Sequence, residues 1–226
     1  MQIAIDTSTD TASLALVQGN EIVAELTWWC GQDHTVHLLP NLNHLLNQTK
    51  LDIKSTTGII VARGPGSYNG LRVGISTAKG LAFSLGIPLV GISTLEVAAY
   101  QHAETGLPVC PVFKAGRGEI ATAIFQKKGD GWTRLVSEHI TELETLCSKI
   151  VTETIFCGDF VSSVASTLKE RLGEIAIISS PAARLRRAGF LAELGIKRLS
   201  AGDYDDIVTL QPLYLRGPAI TQPKHL

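Results

Sequence analysis

Residues Ile59 to Pro88, IIVARGPGSYNGLRVGISTAKGLAFSLGIP, decide how the chain is read. The run Ile59-Ile60-Val61-Ala62 has the length and character of a buried strand. A glycine-rich loop follows, Gly64-Pro65-Gly66-Ser67-Tyr68-Asn69-Gly70. Leu71, Ile75, Ala78, Ala82 and Leu85 then recur with helical period, and Gly86 and Pro88 supply a stop signal. Strand, glycine loop and helix suggest an anion site, because free amides gather at a helix N-terminus. The spacing is G-x-G-x-x-x-G, which is neither a dinucleotide fingerprint, a Walker loop nor a G-x-S-x-G elbow. The helix itself is unusual. Gly70, Gly74, Ala78 and Ala82 put a small residue at every fourth position, and Arg72 and Lys79 are its only charges. A helix apolar nearly all round is expected to be covered on more than one side, by its own core or by a partner.

Outward from that stretch, the chain has 226 residues, 45% hydrophobic and 18% charged, enough for one large domain or two lobes. The net charge of -1 offers no global field for nucleic acid, so any such role is expected to be local or supplied by a partner. Cys30, Cys110, Cys147 and Cys157 form no C-x-x-C and read as reduced thiols. No basic-then-apolar leader and no apolar run near about 18 residues is visible, so the expected location is the cytoplasm, without a membrane.

In chain order, Gln2–Asp6, Ala12–Gln18 and Glu21–Trp29 read as three antiparallel strands, with Asp6-Thr7-Ser8-Thr9 at the first hairpin tip. Those hydroxyls and amides suit a phosphate, and Asp6 suits a magnesium ion held through water, unless the tip only satisfies its own backbone. A helix over about Val36 to Thr49 has Leu38, Leu39, Leu42, Leu45 and Leu46 on its apolar face. His34, His37 and His44 match no standard metal spacing. Leu89–Ile92 is a strand, and Ser93-Thr94-Leu95-Glu96 reads as a capping box opening a helix to about Ala103.

The second half follows the same plan. Strands are expected at Val109–Lys114, Glu119–Gln126, Trp132–Glu138, Thr154–Cys157 and Glu174–Ile178, with helices at Thr141–Ile150, Phe160–Leu172 and Ala182–Gly195. Two successive β-β-β-α-β-α lobes, residues 1–106 and 107–226, are the plan of the actin-like ATPase and sugar-kinase (ASKHA) fold, an α/β class. In that fold ATP lies between lobes, gripped by a hairpin from each. Here the second hairpin tip, Phe113-Lys114-Ala115-Gly116-Arg117-Gly118, has a lysine where an acid would help hold metal. Half of a magnesium-nucleotide site is therefore expected: Asp6, Thr7, Ser8, Gly64, Gly66 and Ser67 as the phosphate loop, with no catalytic residue and no metal ligand set.

These residues resemble the bacterial TsaB (YeaZ) family. The matching pieces are Asp6-Thr7-Ser8-Thr9, the Gly64-Pro65-Gly66-Ser67-Tyr68-Asn69-Gly70-Leu71-Arg72 signature, Ala78-Lys79-Gly80-Leu81-Ala82, Ser93-Thr94-Leu95-Glu96 and Pro212-Leu213-Tyr214-Leu215-Arg216. Asn69 stands where the family usually has threonine. Lys114-Ala115-Gly116-Arg117-Gly118-Glu119 replaces the usual Asp-Ala-Arg motif followed by Glu.

The resemblance implies a non-catalytic partner in forming threonylcarbamoyladenosine next to the anticodon of tRNAs reading codons that begin with A. It implies pairing with the larger paralogue TsaD through two first-lobe helices, with the ATPase TsaE joining them. The His-x-x-x-His of TsaD is missing, since His34-Thr35-Val36-His37 has the wrong spacing. The expected interface comprises Leu38, Leu42, Leu45, Leu71, Gly74, Ile75, Ala78 and Ala82, with a homodimer when the chain is alone. No cofactor is expected to bind the chain strongly by itself, with ATP or ADP placed at the interface of the complex. The alternative is a stand-alone ATP-dependent kinase or ATPase using Asp6 and the glycine loop; a metallopeptidase is disfavoured by its missing ligands. tRNA is expected to be reached through the complex, although Arg184, Arg186, Arg187, Lys197 and Arg198 make a basic late segment that is either a solvated face or a direct contact.

Overall fold

The computed structural model describes residues 1–216. The first half runs β1 (Gln2–Asp6), β2 (Thr11–Gln18), β3 (Glu21–Trp29), α1 (His34–Thr49), β4 (Gly58–Gly64), α2 (Tyr68–Leu85), β5 (Leu89–Ser93) and α3 (Thr94–Tyr100). The second half runs β6 (Val109–Gly116), β7 (Glu119–Lys128), β8 (Gly131–Thr141), α4 (Leu143–Cys147), β9 (Thr154–Cys157), α5 (Val161–Leu172), β10 (Ala176–Ile178) and α6 (Ala188–Ser200).

Each half builds one mixed sheet, in the order β3-β2-β1-β4-β5 and, read from its other edge, β8-β7-β6-β9-β10. In both, the hairpin strands pair antiparallel and the later strands add in parallel. A parallel strand covered on both faces can be apolar throughout, which is why Ile59-Ile60-Val61-Ala62 shows no alternation. Ile59 and Val61 join the core under α1 and α2, whereas Ile60 and Ala62 join the core under α6. The second sheet is likewise filled on both faces, with α4 and α5 on one side and α3 on the other.

Three expectations change. The helix expected over Ala182–Gly195 is a single 3-10 turn at Ala182–Arg184, and α6 begins only at Ala188. Leu185 and Arg187 are extended, a backbone that carries Arg186 inward. Second, α6 lies in the 107–226 half by sequence but packs on the first sheet, where Gly195 abuts the Ile60 side chain and Leu191 and Ala192 pack with Ala4 and Val90. The segment after it also returns there: Asp205 bonds Gly91, Leu210 enters the first core and the Leu213 amide donates to the Arg63 carbonyl. A boundary near residue 106 thus follows the sheets but not the packing of the chain's end. Third, the capping box does not form. The Ser93 side chain makes no capping hydrogen bond to α3, and Glu96 instead accepts from the indole N–H of Trp132.

A filled cleft and an exposed helical face

The first hairpin tip is closed upon itself and upon α2. Asp6 is 1% exposed, and its Oδ1 accepts from the Ser8 amide and the Ser8 hydroxyl at 2.8 and 2.5 Å. The Thr7 hydroxyl donates to the Gly70 carbonyl at 2.7 Å, and the Ser67 amide to the Ser8 carbonyl at 2.7 Å. A Cβ at Gly66, Gly70 or Gly74 would collide with Ser8 or Thr7. The glycines are there so that two backbones can touch. Ser67 caps α2 through the Gly70 amide at 3.3 Å.

The residues of the expected phosphate loop mostly turn inward. Asp6, Thr7 and Ser8 are buried, Gly64 abuts Leu213, and Gly66 is pressed on Ser8. Ser8 donates to Asp6, Thr7 to the Gly70 carbonyl, the Ser67 amide to the Ser8 carbonyl and the Gly64 amide to the Thr94 hydroxyl. Of the six, Ser67 alone lines the cleft between the two hairpin tips.

That cleft, about 690 Å³, is bordered by Thr9, Ser67, Lys114, Asp159, Arg184 and Arg186. Arg186 fills its floor. Its Nε donates to Asp6 Oδ2 at 3.1 Å, its Nη1 to Asp159 at 2.7 Å and its Nη2 to the Thr9 hydroxyl at 2.6 Å, with the Phe113 ring 5.2 Å away. Burial alone would lower the pKa of this guanidinium, but Asp159 and Asp6 outweigh it and raise the pKa above the ordinary arginine value. The acid that would hold a magnesium ion through water thus already carries a fixed cation. The residues present do not fit a magnesium-nucleotide site of the usual kind in this cleft.

Sequence reasoning missed this role for Arg186, which it grouped with a basic surface. The rest of that group is also engaged: Arg187 with Glu25, Arg198 with Asp203 and Asp205, Arg184 with Ser162 and the Ser179 carbonyl, and Lys197 with the Tyr100 hydroxyl. No local signal marks the pairing, since Asp6 and Asp159 lie 180 and 27 residues from Arg186.

Cys30 and His34 also meet, with Sγ 3.1 Å from Nδ1, and both are buried. Burial raises the thiol pKa and lowers that of the imidazole, so both groups favour their neutral forms rather than a thiolate–imidazolium pair. Among the described residues no three His, Cys, Asp or Glu side chains gather as a metal-ligand group. No helix there is long and apolar enough to cross a membrane.

The residues of the expected interface turn inward as well. Leu38, Leu42, Leu45, Leu71, Gly74, Ile75, Ala78 and Ala82 are all buried within this chain. The small-residue line of α2 faces the hairpin tip and the first core because close approach is needed there. The open surface of the same helices carries Val36 (63% exposed), Leu39 (53%) and Phe83 (78%), with Ser76 and Gly80 also exposed. Nothing lies within 4 Å of a Cβ placed on Gly80.

Two duplicated sheets around a cleft, each opening with a hairpin tip, define a protein of the actin-like ATPase and sugar-kinase fold. The chain is similar in fold to YeaZ from Pseudomonas aeruginosa, with TM-score 0.80 at 23% identity over 95% of this chain and 99% of that one. It is also similar to the ethanolamine utilization protein EutJ from Carboxydothermus hydrogenoformans, with TM-score 0.50 at 10% identity over 84% and 88%. The family model described as "TsaD: tRNA N6-adenosine threonylcarbamoyltransferase" matches residues 29–219. The tRNA threonylcarbamoyladenosine biosynthesis protein TsaB of Bacillus subtilis (strain 168) is 31% identical over 217 residues, 95% of this chain and 93% of that protein. The chain belongs to the TsaB (YeaZ) family.

Proposed function

We propose that this chain is a non-catalytic scaffold and activator in the formation of threonylcarbamoyladenosine beside the anticodon of tRNAs that read codons beginning with A. It pairs with a TsaD-type transferase, and a TsaE-type ATPase joins the pair. The observation that carries the reading is the buried Asp6–Arg186 ion pair, which takes the acid of the first hairpin out of use for nucleotide and metal. The names of its TsaB relatives support the pathway.

The docking surface is the outer face of α1 and α2, centred on Phe83, Gly80, Leu39 and Val36. The transferase family model matches a region that includes both helices, so a TsaD-type subunit has counterparts to them. Equivalent faces can then meet about a pseudo-twofold axis, which also explains self-pairing when the chain is alone. Uncharged small residues at Ser76 and Gly80 allow close helix approach, and Phe83 supplies the buried anchor. ATP or ADP binds at the interface of the complex, and the chain alone holds none strongly. tRNA is reached through the complex.

The test is co-purification with TsaD-type and TsaE-type subunits, followed by assay of tRNA modification with and without this chain. Phe83→Glu and Gly80→Glu are expected to abolish association in calorimetry while the variants stay folded. Undiminished affinity in both would reject the docking face. ATP turnover by the chain alone, lost in Asp6→Asn, would reject the non-catalytic reading.

A further inference from the structure

A second cavity, about 450 Å³, sits where the ends of β4 and β5 meet α3, β8 and the end of α6. It shares no lining residue with the Arg186 cleft. Arg63, Ser93, Glu96, Arg134, Arg198 and Asp205 line it.

Its wall holds two unmade hydrogen bonds. Ser93 is 4% exposed, and its Oγ has no partner; the Arg63 Nε is also buried without one. Arg63 forms no ion pair among the described residues, unlike its neighbours. Arg198 is held by Asp203 and Asp205 and donates to the Gly91 carbonyl at 3.0 Å. Arg134 is held by Glu138 at 2.9 Å. The sequence pattern had assigned Ser93 to capping, and the structure leaves its hydroxyl free for another acceptor.

Buried donors without acceptors are costly, and two of them bordering one cavity call for an oxygen-bearing occupant. An oxyanion satisfies both and supplies the charge that Arg63 lacks. Two lining carboxylates, Glu96 and Asp205, would oppose it. Asp205 is already engaged by Arg198 and the Gly91 amide. For Glu96, burial raises the pKa, against the pull of Arg134, and Oε1 is turned to Trp132.

We propose that this cavity binds a small oxyanion, the carboxylate or phosphate group of a small molecule, through Arg63 and Ser93. The site belongs to the chain itself and stands whether or not the pairing described above is correct.

The test titrates the full chain with inorganic phosphate and, separately, with acetate at constant ionic strength. Calorimetry and the amide shifts of Gly64, Gly91 and Ser93 are the readouts. Saturable one-site binding is expected, weakened about tenfold or more by Ser93→Ala and by Arg63→Gln. Lys114→Ala, in the other cleft, leaves it unchanged. Ser93→Ala removes only an unpaired hydroxyl, so its melting temperature without ligand stays level or rises. Saturation by phosphate alone identifies a phosphate group as the ligand, and saturation by acetate alone a carboxylate. A response that does not saturate, or that both variants retain, means that water fills the cavity and overturns the proposal.

Discussion

Arg186 and Asp6 are 180 residues apart in sequence, yet Nε of one lies 3.1 Å from Oδ2 of the other in the buried floor of the cleft. The pair ties the end of the chain to its first hairpin. Arg186→Met leaves a buried carboxylate without a cation and is expected to cost about 3–5 kcal/mol in denaturant unfolding. The double variant Asp6→Asn, Arg186→Met removes both charges and is expected to regain much of that loss. A double variant no more stable than the single would show that the pair is not the source of the cost.

The two faces of α2 predict opposite consequences for one kind of substitution. Ala78→Glu puts a charge in a fully buried position and is expected to prevent folding, seen as lost cooperative unfolding in circular dichroism. Phe83→Glu falls on a residue 78% exposed and is expected to change stability by less than about 0.5 kcal/mol. Equal damage from both would contradict the assignment of faces.

Gly74→Ala places a methyl group against the Thr7 hydroxyl, and Gly70→Ala places one against the Thr7 carbonyl. A Thr7→Ala partner removes the hydroxyl beside Gly74 but nothing beside Gly70, where the obstacle is backbone. Both single variants are expected to be destabilised by about 1–3 kcal/mol, with the larger loss at Gly70. Thermal melts of the two, with and without Thr7→Ala, check the order.

His34 predicts a pH dependence. Burial lowers its pKa below 6.5, although Asp10, Asp6 and Asp33 pull the other way. The unfolded chain therefore binds the proton more readily, so the contribution of His34 is fully present above pH 6.5 and is lost as pH falls from there through the folded pKa. His102 shifts in the same direction for the same reason. Stability is expected to fall as pH drops below 6.5, and His34→Gln to flatten the slope. Unfolding midpoints with unchanged slope in the variant would remove His34 as the cause.

Local pattern settled a great deal of this protein. Gln2–Asp6 and Thr154–Cys157 stand as strands where alternation and apolar runs put them, and Ser67 and Gly86 bound α2 as cap and stop. The order of elements was legible because each element records its own period and its own end signals. The glycine signature carried the family.

What the sequence could not decide is which groups face each other. The small-residue line Gly70, Gly74, Ala78 and Ala82 announces close approach, but period alone does not say whether the approaching backbone is Thr7 of the same chain or a helix of another. Ser93 and Glu96 have capping-box spacing, yet Glu96 accepts from Trp132 and the Ser93 hydroxyl makes no bond to the helix. Arg186 looks like any surface arginine until the extended residues on either side, Leu185 and Arg187, carry it to Asp6 and Asp159. Spacing along a chain fixes only neighbours within a few residues; charge neutralisation across 180 residues is settled by tertiary packing, where an unpaired buried carboxylate would be too costly to keep.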